Sequence, residues 1–144
     1  MQNLTQSQED YLEEIYIEIT KSGSAKVTEI SNALNVKKAS VSEALNNLCA
    51  KGLIKYAPYA PIELTNLGRE LARGILRKHE LMANFFTEVL RLDEGEAQEC
   101  ACKIEHILSE DVISRFAKFS AFFEEYSKGD EKFQSRIKGL YEDV

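Results

Sequence analysis

The 144-residue chain has three cysteines, two histidines and no apolar run close to the length of a bilayer span. A spanning helix needs roughly 18–20 consecutive apolar residues, so none is expected and no membrane partner is read. The opening stretch, MQNLTQSQEDYLEE, lacks both a basic n-region and an apolar h-region, so it does not read as a signal peptide. A cytoplasmic location follows. An odd cysteine count in an unsecreted chain argues against a disulfide framework and for reduced thiols. Internal repeats and low-complexity segments are absent. At 44% hydrophobic residues the chain is too apolar for disorder, and its length suits one compact domain or two small ones.

Charge is scarce in one place and concentrated in another. The net charge of −6 by itself argues against nucleic acid, but residues 21–62 hold six lysines against Glu29 and Glu43. That segment carries +4 and the remainder −10, so a single basic face sits on an acidic chain, which is compatible with DNA contact at that face.

Apolar spacing predicts a mainly α protein. Residues 5–20 read as a helix with Thr5 or Ser7 as cap and a stripe of Leu12, Ile15, Tyr16 and Ile19. A short helix over 27–34 follows, with Thr28 as its cap. After a tight turn at Asn35-Val36 comes a helix over 37–52, with Val41, Ala44, Leu45 and Leu48 facing inward. Ala39, Ser40, Ser42, Glu43, Asn46 and Asn47 face outward. LIKYA (53–57) and PIELT (61–65) alternate around a turn and predict a β-hairpin. Thr65 opens a long helix over 66–90. Further helices are expected over 96–108, from Ser109 to about 126, and in a short last stretch. The domain division is placed at 1–72 and 73–144.

Helix, short helix, turn, polar-faced helix and hairpin is the order of a winged helix-turn-helix. A helix fits the major groove, and its exposed polar face reaches base edges. Lysine at a helix start opposes the dipole, so Lys37 and Lys38 are assigned to phosphate. Ala39, Ser40, Ser42 and Asn46 are assigned to the reading face. Glu43 fits either a cytosine amine or a solvated helix surface. Tyr59, with Lys55 and Tyr56, is expected on the wing beside the groove. The competing reading of this half is a protein-interaction domain.

In the second half, CACKIEH (100–106) gathers two thiols, a carboxylate and an imidazole. On a helix, Cys102, Glu105 and His106 share a face, while Cys100 points about 160° away at 100° per residue. Cys100 and Cys102 are therefore poor partners for one ion or one disulfide. A thiolate, carboxylate and imidazole suit a borderline divalent transition metal. His79 is the natural further ligand, and Asp10 and Glu13 form an i, i+3 acid pair. The plainer reading is a solvated Glu-His pair beside a small buried cysteine.

Five ordered stretches carry a resemblance. They are EDYLEEIY (9–16), VTEISNALNVKKASVSEALNNLCAKGLIKY (27–56), LTNLGRELA (64–72), RKHELMANFF (77–86) and CKIEHILSEDV (102–112). Over residues 4–116 the chain resembles the diphtheria-toxin-repressor and manganese-transport-regulator family of metal-dependent transcriptional repressors. The resemblance implies an N-terminal winged helix-turn-helix with a small wing, an all-helical metal-binding and dimerisation domain, and no enzymatic activity. It implies a homodimer on a near-palindromic double-stranded operator, a divalent metal, and no organic cofactor. It assigns metal ligation to Asp10, Glu13, His79, Cys102, Glu105 and His106. Asp10 and Glu13 match the manganese type and Cys102 the iron type, so Fe²⁺ is favoured and Mn²⁺ stands second. Ala83 and Gln98 replace ligands of the iron type's ancillary site, so that site is not expected in the same form. With Val144 as the last residue, the resemblance is to the short, two-domain members, and a third domain is not expected. Rival readings are a redox regulator using Cys100 or Cys49, and a metalloenzyme with an open metal position.

Overall fold

The structure is a computed structural model and describes residues 3–142. Its elements run α1 (Gln6–Ser22), α2 (Val27–Ala33), α3 (Lys38–Ala50), β1 (Ile54–Lys55), β2 (Glu63–Leu64), α4 (Asn66–Glu88), α5 (Glu94–Ile104), α6 (Glu110–Ser127) and α7 (Glu131–Leu140). The chain divides into two compact units, Met1–Leu76 and Arg77–Val144. The boundary falls inside α4, which runs unbroken from one unit into the other. No helix of the described residues is long and apolar enough to cross a membrane.

The first unit is built on the expected stripes. Thr5 caps α1 in a reciprocal box with Gln8: its hydroxyl accepts from the Gln8 amide, and the Gln8 side chain accepts from the Thr5 amide. Leu12 and Ile15 of α1 are fully buried, as are Val41, Leu45 and Leu48 of α3, with Ile30 of α2 between them in one apolar cluster. The α2–α3 turn places Asn35 at φ 52°, a region asparagine tolerates better than most residues. Ser31 locks that turn twice. Its hydroxyl donates to the Val36 carbonyl at 2.6 Å, and its carbonyl accepts the Val36 amide at 3.0 Å.

Several boundaries differ from the sequence expectation. Thr28 does not cap α2; the cap position is Lys26, which makes no side-chain capping bond. The hairpin ladder is only two residues long on each side, pairing Ile54 with Leu64 and Lys55 with Glu63. Alternation across β1 then turns Tyr56 inward, half-buried against the first core, rather than outward onto the wing. The helix expected over 96–108 ends at Ile104, because the Ile107 amide tightens onto the Ile104 carbonyl and Ser109 restarts the chain as the cap of α6.

Thr65 and Gly68 join the hairpin to α4. The Thr65 amide donates to the Leu53 carbonyl at 3.0 Å, and the Thr65 hydroxyl caps α4 by accepting from the Gly68 amide at 3.0 Å. A Cβ on Gly68 would lie 1.9 Å from the Leu53 carbonyl oxygen. Only a residue without a side chain allows this approach.

The second unit has its own smaller core of Met82, Ala83, Ala101 and Ile113, extended by Phe86, Ile104, Leu108 and Phe116. Phe85 stacks edge-on against Phe116 at 4.8 Å. Farther along α6, Phe119, Phe122 and Tyr126 are exposed.

Two glycines of α4 therefore make opposite predictions. Gly68→Ala should destabilise the chain by about 1–3 kcal/mol through backbone overlap. Gly74→Ala meets nothing within 4 Å and should stabilise it by roughly 0.5–1 kcal/mol. Urea unfolding of both variants reads the two signs.

Candidate functional site

The second unit brings three of the expected ligands together. His79 stands on α4, and Glu105 and His106 follow the end of α5, where the Glu105 amide still completes the helix by donating to Ala101. The Glu105 side chain is 1% exposed, yet it is a carboxylate. Its Oε2 lies 2.7 Å from His79 Nδ1, and its Oε1 lies 3.2 Å from His106 Nε2. The His106 side chain is 3% exposed and that of His79 17%. Among the described residues, Glu105 Oε1 accepts no hydrogen bond.

A buried carboxylate is costly unless its charge and lone pairs are met. Here one oxygen is met by an imidazole and the other is left with unused acceptor capacity beside a second imidazole. Two nitrogen donors and a carboxylate oxygen in a nearly dry setting suit a divalent transition ion, which would fill the capacity that the protein leaves open. The residues present therefore fit the metal that the sequence implied.

The remaining expected ligands have different settings. Asp10 and Glu13 lie on α1 in the first unit, Glu13 buried and Asp10 half-buried. Cys102 is an exposed cysteine on α5, three residues before the nearly fully buried Glu105. Cys49 and Cys100 are half-buried free thiols, Cys49 packed against the first core. Elsewhere on α5, Glu99 and Lys103 pair at 2.5 Å. The contact lowers the Glu99 carboxyl and raises the Lys103 ammonium, each chiefly by the hydrogen bond itself. Both groups are in solvent, so the pair is a surface feature worth little.

One residue of the cluster lay outside the expected ligand set. Gln98 Oε1 lies 2.5 Å from His79 Nε2, so both ring nitrogens of His79 face oxygen. Its signal in the sequence is spacing: residue 98 is two helical turns before residue 105.

The first unit exposes most of the residues expected on the DNA-facing side of the third helix. On α3, Ala39, Ser40, Glu43 and Asn46 are exposed, while Ser42 is half-buried and returns its hydroxyl to the Lys38 carbonyl at 3.2 Å. Lys37 occupies the cap position with no side-chain capping bond, and Lys38 begins the helix, both exposed. Tyr59 stands at the hairpin tip, 109% exposed, with φ 65°. A bulky residue in that region is strained, and strain is commonly retained where a side chain has work outside the fold.

Comparison with known proteins places both halves. Residues 3–62 match the N-terminal DNA-binding domain of iron-dependent repressors, and residues 65–134 match their metal-binding and dimerisation domain. An uncharacterized HTH-type transcriptional regulator of Methanocaldococcus jannaschii is 41% identical over 123 residues, covering 85% of this chain and 98% of that protein. Among solved structures, IdeR of T. acidophilum superposes with a TM-score of 0.70 at 28% identity, covering 88% of this chain and 56% of that one. The manganese regulator SloR superposes with a TM-score of 0.70 at 30% identity, covering 81% and 54%. The chain thus spans nearly all of the curated relative and just over half the length of these two solved chains. With a DNA-reading unit, a helical unit whose buried carboxylate and imidazoles suit a divalent ion, and matches along both, this chain belongs to the iron-dependent repressor family of metal-dependent transcriptional regulators.

Proposed function

We propose that this protein is a cytoplasmic homodimer that represses metal-homeostasis genes, binding a near-palindromic operator when it holds Fe²⁺ or, second in preference, Mn²⁺. The observation that carries the reading is Glu105, a buried carboxylate with an unsatisfied oxygen between His79 and His106. The proposed ligand set is Asp10, Glu13, His79, Cys102, Glu105 and His106. The thiolate in this set underlies the lean to Fe²⁺, since sulfur favours softer ions than Mn²⁺.

When bound, a divalent ion supplies positive charge to a set of carboxylates. Asp10 and Glu13 would otherwise add like charge to that of Glu105, and like charges held close repel. Glu105, His79 and His106 bind and orient within the second unit. Asp10 and Glu13 bring α1, and with it the reading unit, under the same control. The DNA-competent arrangement is then favoured only by as much as the ion prefers it; a shift from 1:99 to 99:1 requires about 5.5 kcal/mol, or ~10⁴-fold.

On DNA, α3 is the reading helix. Ala39, Ser40, Ser42, Glu43 and Asn46 face base edges, Lys37 and Lys38 meet phosphates, and Tyr59 stands beside the groove. The exposed aromatics Phe119, Phe122 and Tyr126 on α6 support a second copy as partner, because an exposed apolar stripe marks an interaction surface. Two copies set two reading helices one DNA turn, or a multiple, apart.

Chelator should lower operator affinity at least tenfold in fluorescence anisotropy at fixed salt, and Fe²⁺ or Mn²⁺ added anaerobically should restore it. Glu105→Gln should remove that metal response while leaving the fold intact within about 1 kcal/mol, since a buried charge is lost rather than created. Equal affinity with chelator and with metal would sink the reading. Separately, Lys38→Ala should weaken binding about equally on all sequences and reduce the slope of log affinity against log salt by about 1, whereas Asn46→Ala should cost roughly 1–3 kcal/mol on the operator alone.

A further inference from the structure

His79 carries the inference, which rests on the metal-site reading above. Its Nδ1 faces Glu105 Oε2 at 2.7 Å and its Nε2 faces Gln98 Oε1 at 2.5 Å. An ionised carboxylate only accepts hydrogen bonds, so in this arrangement Nδ1 holds a proton. A ring that ligates a cation must give up the proton on the ligating nitrogen and keep one on the other. The nitrogen that faces the fellow ligand Glu105 is Nδ1. The proton must then reside on Nε2, where it needs an acceptor.

We infer that Gln98 is a positioning residue for the metal centre: its Oε1 holds His79 in the Nε2–H form, so that Nδ1 presents its lone pair beside Glu105. Gln98 and Glu105 belong to one helical run, two turns apart, so the same rigid element sets both partners of the imidazole. The amide is suited to the task because it changes role by a half-turn about its last bond. With the NH₂ turned to Nε2, it serves a neutral ring that donates from Nδ1 to Glu105. With Oε1 turned to Nε2, it serves the ligating ring. Both forms of His79 are satisfied, and no charge is added to the centre, as a carboxylate acceptor would add it. Residues that orient a ligand in this way commonly tune affinity 10–100-fold.

The test uses the full chain. Wild type, Gln98→Leu and Gln98→Glu are titrated with Zn²⁺ and Mn²⁺ in competition with a fluorescent chelator. Long-range ¹H–¹⁵N spectra of the histidine rings are recorded on the Zn²⁺-loaded wild type. Leucine should lower affinity about 10–100-fold. Glutamate should recover it, because the acceptor is kept. The loaded wild type should show the His79 proton on Nε2 and slowed in its exchange with water by the bond to Gln98 Oε1, a protection that a merely space-filling Gln98 would not produce. Undiminished affinity in the leucine variant, or a loaded wild type with its proton on Nδ1, would overturn the role of Gln98 and leave the metal centre standing. A wild-type chain that binds neither ion would overturn the metal centre itself, and this inference with it.

Discussion

The second unit is organised around a carboxylate taken out of water. Glu105 is 1% exposed, and the effective penalty for burying such an ion is several kcal/mol before anything compensates it. Two imidazoles approach it, from α4 and from the residue that follows it, and one of its oxygens keeps unused capacity. A fold optimised for stability alone would do as well with an apolar side chain there. The retained charge makes sense as part of a site whose remaining requirement is met from outside the protein.

The same economy of local structure shapes the reading unit. Burial of Val41, Leu45 and Leu48 rotates the polar residues of α3 outward, so the core and the polar face are two sides of one helical period. Ser31 fixes the turn before α3, and Gly68 allows α4 to start against the Leu53 carbonyl. These contacts hold the hairpin and α3 on a single core. Tyr59, strained and fully exposed at the tip, is the one bulky side chain of the hairpin that this core does not use.

The three thiols bear on the rival reading as a redox regulator. Cys49 is taken up by the first core, and Cys100 and Cys102 stand two residues apart on one helix, nearly opposite in direction, where a bridge would strain the backbone. A metalloenzyme is set aside on kinship: both halves match domains of transcriptional repressors.

The sequence alone determined what depends on period and on local chemistry. The inward face of α3, a cap at Thr5 or Ser7, the helix start at Ser109, the order of the reading unit and the identity of His79, Glu105 and His106 as ligand candidates were all legible, because helical spacing and capping act within a few residues. Tertiary structure decided the rest. It stopped α5 at Ile104, turned Tyr56 into the core by the alternation of a two-residue strand, and buried Glu105 while leaving Cys102 in solvent. It also placed Gln98 against His79, a contact across 19 residues. Spacing says which side chains share a face, but depth, and the partner that arrives from another helix, are set only when the helices pack.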